Sequence, residues 1–310
     1  MIMGREEIRR LFAAPPDAAR RARIEAALER AYPSLVRGVI GHSMLGRPLT
    51  CFRIGHGPRA VLYVGAHHGM EWITSLLLYR LINDLCLSAA RRGEGAVLPG
   101  GTCLYVLPML NPDGVEIELH GAAAGGPLAG RLLRQNGGDP DFSHWQANAR
   151  GVDLNHNYDA GFAAYRCRAQ EAGISAGGPT RYGGEEPMSE PETAALCRFL
   201  SLVRPALILT LHTQGEEIFY HPTTPPVPHA AEWGALLARL TGYRLGQAEG
   251  LAAYGGLSDY AAAKLRIPSF TLECGLGENP LPLSAAAPIY RRLRRALYLG
   301  MLFGAGQADE

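Results

Sequence analysis

The stretch HHGMEWI at residues 67–73 carries a histidine and, three residues on, a glutamate; the same spacing returns in HAAEW at 229–233. A ring nitrogen and a carboxylate so spaced can grip one divalent cation, and a cation so held can polarise a carbonyl or acidify water. With ten histidines in the chain, one or two such pairs arise by chance, so position must separate a metal site from a coincidence. In open α/β sheets the ligand crevice lies beyond the carboxyl ends of the strands. His68 and Glu71 come directly after the apolar run VLYVGA, at a turn from strand into helix. His229 and Glu232 instead come after HPTTPPVP, a proline loop, and open an amphipathic helix whose first turn suits an acid. The first pair is the metal candidate and the second a surface pair.

A catalytic metal needs at least one further protein ligand and an open position. His212 ends the strand ALILTLH much as His68 ends its own, and Glu273 ends SFTLE. Three strand ends thus bring His68 with Glu71, His212 and Glu273 to one edge of a sheet. Two histidines and one glutamate form a common catalytic zinc set, which leaves the other carboxylate to serve as a base. Taken singly, a strand-end histidine is an ordinary hydrogen-bonded residue and a strand-end glutamate a solvated charge. Their joint placement favours chemistry.

Periodicity identifies the elements that must position these groups. Residues 16–32 read as a helix, and IGHSMLGRPLTCFRIG alternates like two strands around a turn at Gly46. Next come the strand RAVLYVGA, the helix MEWITSLLLYRLINDLCL, the strand GTCLYVLPML, the helix PETAALCRFLSLV, the strands PALILTLH and IPSFTLEC, and a closing helix AAPIYRRLRRALYLGML. Such alternation predicts an α/β fold with a mostly parallel or mixed sheet covered on both faces. Between residues 111 and 187 lies a long segment rich in Gly, Asn and Asp, read as functional loop. Neither a repeat nor a linker divides the chain, so one domain over 1–310 is expected, helical up to about residue 32.

Composition narrows the partners. About half of the 310 residues are apolar, enough for a substantial core, and the formal net charge of +1 offers no field for nucleic acid or an anionic membrane. Six cysteines without a CxxC pair suit reduced packing residues. The start, MIMGREEIRRLF, has no apolar core of a signal peptide, and no later run reads as long enough to span a bilayer. A soluble, cytoplasmic protein is the expectation, with neither nucleic acid nor membrane as partner.

From about Ile40 to Arg295 the ordered motifs resemble the zinc carboxypeptidase family: HGMEW, NPDG at 111–114, GVDLNHN at 151–157, YGGEEPMSEPET at 182–193 and FTLE at 270–273. The resemblance implies a mixed eight-stranded sheet between helices and one zinc per chain. It implies that His68, Glu71 and His212 are the ligands, Glu273 the general base, Asp153 the carboxylate orienting His68, and Asn155 a holder of the substrate carboxylate. HAAEW has no counterpart in the family pattern.

The departures bear on substrate. His156 stands where digestive members carry the arginine that grips a terminal carboxylate, and a mostly neutral histidine cannot form that bidentate clamp. Gln146 stands where they carry the arginine that stabilises the oxyanion, with Arg150 a nearby alternative. Met70 replaces a further arginine, and Leu251 falls at the family's mobile tyrosine, for which Tyr254 is a substitute. Ser258 falls at the base of the specificity pocket and permits a polar side chain. With the polar segment TQGEE at 213–217, these changes resemble the branch that cleaves γ-D-glutamyl bonds to diaminopimelate in cell-wall peptides, so a small muropeptide-like substrate is expected. The rivals are release of C-terminal residues, zinc-dependent deacylation of N-acyl amino acids, and a catalytically silent peptide binder.

Overall fold

The chain, described here from a computed structural model over residues 3–92, 98 and 101–303, is built on one eight-stranded sheet. Its strands are β1 (Val36–His42), β2 (Pro48–Ile54), β3 (Arg59–Gly65), β4 (Thr102–Leu107), β5 (Leu207–His212), β6 (Glu217–Phe219), β7 (Arg244–Gly246) and β8 (Ser269–Glu273). They lie in the order β1-β2-β4-β3-β5-β8-β6-β7. The inner four, β4, β3, β5 and β8, run parallel, whereas β2 joins β4, and β6 joins β8, antiparallel. The fold is therefore α/β with a mixed sheet, in a single domain. The domain limits read at residues 1 and 310 lie outside the described residues.

Alternation along the strands builds the core on two sides. In β3, Val61 and Tyr63 join one apolar cluster while Leu62 and Val64 join the other; in β5, Leu207, Leu209 and Leu211 part in the same way from Ile208. β3 and β5 are thus buried on both faces. Among the described residues, α2 (Ala18–Ala31), α3 (Ile73–Arg91), α8 (Ala230–Thr241) and α10 (Ala286–Gly300) cover the first side. The other side carries α7 (Pro191–Val203) and α9 (Leu257–Tyr260). Each fully buried Leu or Ile in these layers contributes roughly 1.5–3 kcal/mol. Local chemistry sets the boundaries: Asp17 caps α2 by accepting from Arg20 N at 2.7 Å, Pro191 opens α7, and Gly46 takes φ +80° in the turn between β1 and β2.

Two expectations need correction. The segment 111–187 is not one continuous loop, because it contains α4 (Pro112–His120), α5 (Ala129–Gln135) and α6 (Phe162–Glu171). Asn111 initiates α4 by accepting from Gly114 N at 2.8 Å, a cap with proline at the first helical position. The helix within Gly69–Arg91 is, by length and composition, apolar enough to cross a membrane, yet 72% of its most apolar window is buried inside the protein. Its apolarity serves the core. The helical segment at the start of the chain comprises α1 (Arg5–Leu11) and α2.

Candidate active site

Strand order reverses between β4 and β5 on either side of β3, which makes the carboxyl end of β3 the topological switch point. The register aligns three neighbouring strand ends: Gly65 pairs with Leu211, and His212 pairs with Glu273. The turn leaving β3 therefore stands level with His212 and Glu273.

That turn is held from behind. Ala66 adopts φ +45°, a costly conformation for a residue with a Cβ, at the point where the chain leaves the strand. Asn111 Nδ2 donates to the carbonyls of His67, Gln146 and Ala147 at 3.0, 3.1 and 3.2 Å, tying the NPDG turn to the HHGME turn. Gly69 and Met70 donate their N–H groups to Gln146 and Trp145. A Cβ on Gly69 would lie 2.4 Å from the Gly114 carbonyl oxygen and 2.6 Å from that of Trp145, so only glycine permits this approach. Met70 is buried.

In front of the turn, His68, Glu71 and His212 converge, their ligand atoms all within 4.8 Å of one another. His68 Nδ1 is 2.9 Å from Glu71 Oε1, and His212 Nδ1 is 3.0 Å from Glu71 Oε2. On its far side His68 Nε2 meets Asp153 Oδ1 at 3.0 Å. Burial alone would raise the Asp153 carboxyl, but His68, His156 and the Arg181 backbone N–H outweigh it and hold it well below the usual range. An ionised Asp153 requires the proton of His68 on Nε2, which leaves a lone pair on Nδ1 aimed at an anionic carboxylate.

Two acceptors 2.9 Å apart need a cation between them. In the metal-free chain that cation is a proton: against the opposing effect of burial, Glu71 and Asp153 raise His68 well above its ordinary value. Glu71 itself, despite burial, is held down at about 2 by His68 and His212. Its Oε2 has no hydrogen-bond partner of proper geometry although it is buried. A borderline-soft divalent ion fits this donor set of two imidazoles and a carboxylate.

Glu273 completes the edge. Burial is the main force that raises it to about 7, with His212 opposing and Glu71 adding to the rise. A divalent cation beside it favours its carboxylate form. His67, a residue with no place in the predicted ligand set, is fully buried, stacks on His212 at 5.1 Å between ring centroids, and shares a hydrogen bond with the Tyr158 hydroxyl at 3.2 Å.

The centre opens into a cleft of about 360 Å³ whose walls include Asn155, His156, Tyr254 and Ser258. Asn155 Oδ1 accepts from Leu257 N at 3.2 Å. The His156 ring lies flat on Tyr165, with centroids 4.2 Å apart and planes at 11°, and its Nδ1 meets the Tyr254 carbonyl at 2.9 Å. Tyr254 holds the Arg168 guanidinium over its ring at 5.1 Å, whereas Leu251 is not part of the wall. Ser258 Oγ pairs with Thr271 Oγ1 at 2.9 Å.

Gln146 and Arg150 lie elsewhere. The Gln146 side-chain carbonyl accepts from the Thr180 hydroxyl, while Arg150 points to Met44 Sδ at 3.0 Å and Glu190 at 3.7 Å. Neither lines the cleft. In TQGEE only Thr213 does; Glu217 opens β6 and Glu216 pairs with Arg292. His229 and Glu232 form their own pair at 3.0 Å with side chains 40% and 77% exposed, on the surface and apart from the metal cluster. Two cleft residues that the sequence does not reveal are His221 and Asp259, paired at 3.1 Å. No spacing signal links them, because one sits in a proline loop and the other in a one-turn helix.

Known proteins share this framework. Gamma-D-glutamyl-L-diamino acid endopeptidase 1 of Lysinibacillus sphaericus is 33% identical over 85% of this chain and 66% of its own length. Murein peptide amidase A of Escherichia coli (strain K12) is 28% identical over 56% of this chain and 57% of its own. The chain thus spans less than two thirds of either relative. Among solved structures, carboxypeptidase A from Helicoverpa armigera superposes with a TM-score of 0.74 at 20% identity, covering 98% of this chain and 81% of that one, which speaks for the fold. Because residues 23–294 match the zinc carboxypeptidase family, the chain belongs to that family, with a single zinc ion as its cofactor.

Proposed function

We propose that the chain hydrolyses peptides derived from the bacterial cell wall, cutting between γ-D-glutamate and meso-diaminopimelate. In this reading His68, Glu71 and His212 hold the zinc and Asp153 fixes the His68 tautomer. When bound, zinc supplies Lewis acidity, which polarises the scissile carbonyl and acidifies water. Glu273 takes the proton from the attacking water and delivers it to the departing amine. Asn155 and His156 line the substrate side of the cleft.

The observation that carries the substrate choice is the state of His156. Its ring is stacked on Tyr165 and its Nδ1 is engaged by a backbone carbonyl, so no forked cation waits there for a chain-terminal carboxylate. A site without that clamp can take a peptide that continues past the scissile bond. The name of the Lysinibacillus sphaericus relative, an endopeptidase acting at γ-D-glutamyl-L-diamino acid, supports the same reading.

Mass spectrometry of products from L-Ala-γ-D-Glu-meso-diaminopimelate-D-Ala tests it. L-Ala-D-Glu together with diaminopimelyl-D-Ala is the expected result. Release of D-Ala alone would make the protein a carboxypeptidase, and an intact tetrapeptide would favour a deacylase or a silent binder.

A further inference from the structure

The cleft runs down from the zinc edge between β8 and α9. In β8, Thr271 and Glu273 are partly open and border the cleft, while Phe270 and Leu272 are buried in the core. Two residues of strand place Thr271 about 6.6 Å deeper than Glu273. There the Ser258 hydroxyl binds Thr271 and also accepts from Ser269 Oγ at 3.3 Å. This is a polar floor about one long side chain below the general base.

Beside that floor stands the His221–Asp259 pair. Asp259 Oδ2 accepts from Gly256 N at 3.0 Å, and its Oδ1 meets His221 Nδ1 at 3.1 Å. His221 comes from the opposite wall, on the loop after β6. Arg266 fastens that loop by donating to Thr223 Oγ1 and the Pro225 carbonyl, both at 2.8 Å, and to the Pro226 carbonyl at 2.6 Å. With the loop already braced, the pair is not required as its brace. The Asp259 side chain is 12% exposed and that of His221 32%, so both remain accessible from the cleft. Among the described residues His221 Nε2 has no protein partner.

We propose that His221 and Asp259 together read the far end of the residue on the amine side of the cut bond, selecting a side chain that ends in both an ammonium and a carboxylate. The assignment rests on the endopeptidase reading above. A lone aspartate in this wall would select a purely cationic side chain, and an apolar wall an aliphatic one. A facing cation and anion match a group that is itself zwitterionic, with the carboxylate at His221 Nε2 and the ammonium at Asp259. The hydrogen bond that His221 donates to Asp259 raises it above its ordinary value, which favours its cationic form near neutrality.

Initial-rate measurements on zinc-loaded protein with L-Ala-γ-D-Glu-meso-diaminopimelate and L-Ala-γ-D-Glu-L-Lys test this, because the second peptide lacks only the distal carboxylate. Wild type is expected to prefer the first. His221→Gln should lower kcat/KM for the diaminopimelate peptide about tenfold to a hundredfold, the range of one charge-assisted hydrogen bond, and change the lysine peptide less than about threefold. Asp259→Asn, which keeps an acceptor for Gly256 N, should weaken both.

Equal loss on both peptides in His221→Gln, or no loss, overturns the assignment and leaves the endopeptidase reading standing. Cleavage of neither peptide by wild type overturns both. Calorimetric titration of free meso-diaminopimelic acid is independent of turnover. Binding by wild type that is lost in a folded His221→Gln variant supports the assignment, and equal binding overturns it.

Discussion

Replacing Asp153 with asparagine tests whether the tautomer of His68 is what prepares the metal site. In the folded chain Asp153 Oδ1 faces His68 Nε2 at 3.0 Å and Asn155 N at 3.1 Å, while Oδ2 faces Arg181 N at 3.1 Å. All three opposing groups are donors, and an amide can accept on one side only. With its oxygen kept toward His68, the new NH2 meets the Arg181 N–H, leaving buried donors unpaired at a cost of about 1–3 kcal/mol. With the amide turned over, the NH2 faces Nε2, which moves the histidine proton to Nδ1, the atom turned toward Glu71. Either way zinc affinity falls, by about ten- to a hundredfold for the loss of such a supporting carboxylate, or about 1.4–2.8 kcal/mol. Competition against a chelating dye at neutral pH measures it, and calorimetric melting of the metal-free protein reads the packing cost separately. Zinc affinity within about threefold of wild type, in a variant whose His68→Ala counterpart no longer binds zinc, would refute the argument.

Glu273→Gln should lower turnover by about 10²–10⁴-fold, the usual range for a general acid–base group, with zinc content unchanged by elemental analysis. Loss of the metal as well would make Glu273 a ligand. Glu118 offers a pH test at a group that does not line the cleft, since burial raises it to about 8. A folded value above the unfolded one means its contribution is fully present at acid pH and is lost as pH climbs through about 8. Glu118→Gln should therefore melt higher than wild type at about pH 9 and show a smaller gain, or none, at about pH 5. A uniform shift at both pH values would count against it.

The strand ends were readable because a buried strand announces itself by an unbroken apolar run, and a polar residue at its close must face the crevice. Position directly after an apolar run is enough to separate His68 and Glu71 from His229 and Glu232. Residues 111–187 were less legible, because α4, α5 and α6 are only 9, 7 and 10 residues long, so hydrophobic periodicity is weak. Three-residue strands such as β6 and β7 carry no period at all, and Glu217 reads as a polar turn until β8 pairs with it. The His221–Asp259 pair depends on a loop and a one-turn helix from separate parts of the chain meeting in space. The direction of Gln146 hinged on Thr180, a partner no local pattern reveals.

The pairing of β3 with β5 also has a consequence for how the molecule comes into being. Glu71 and His68 leave the ribosome early and as neighbours, but His212, the third member of the candidate cluster, joins them only when β5 docks beside β3, after the whole of α3 to α7 has been synthesised. Closing so long a loop carries an entropic cost that the pairing of β5 with β3 must meet before the ion can be held from both sides. A nascent or misdocked chain therefore offers the ion only a weak two-point hold, open to any cellular chelator. Metal retention thus reports on completed maturation, and a zinc-stripping challenge sorts finished molecules from unfinished ones within a single preparation.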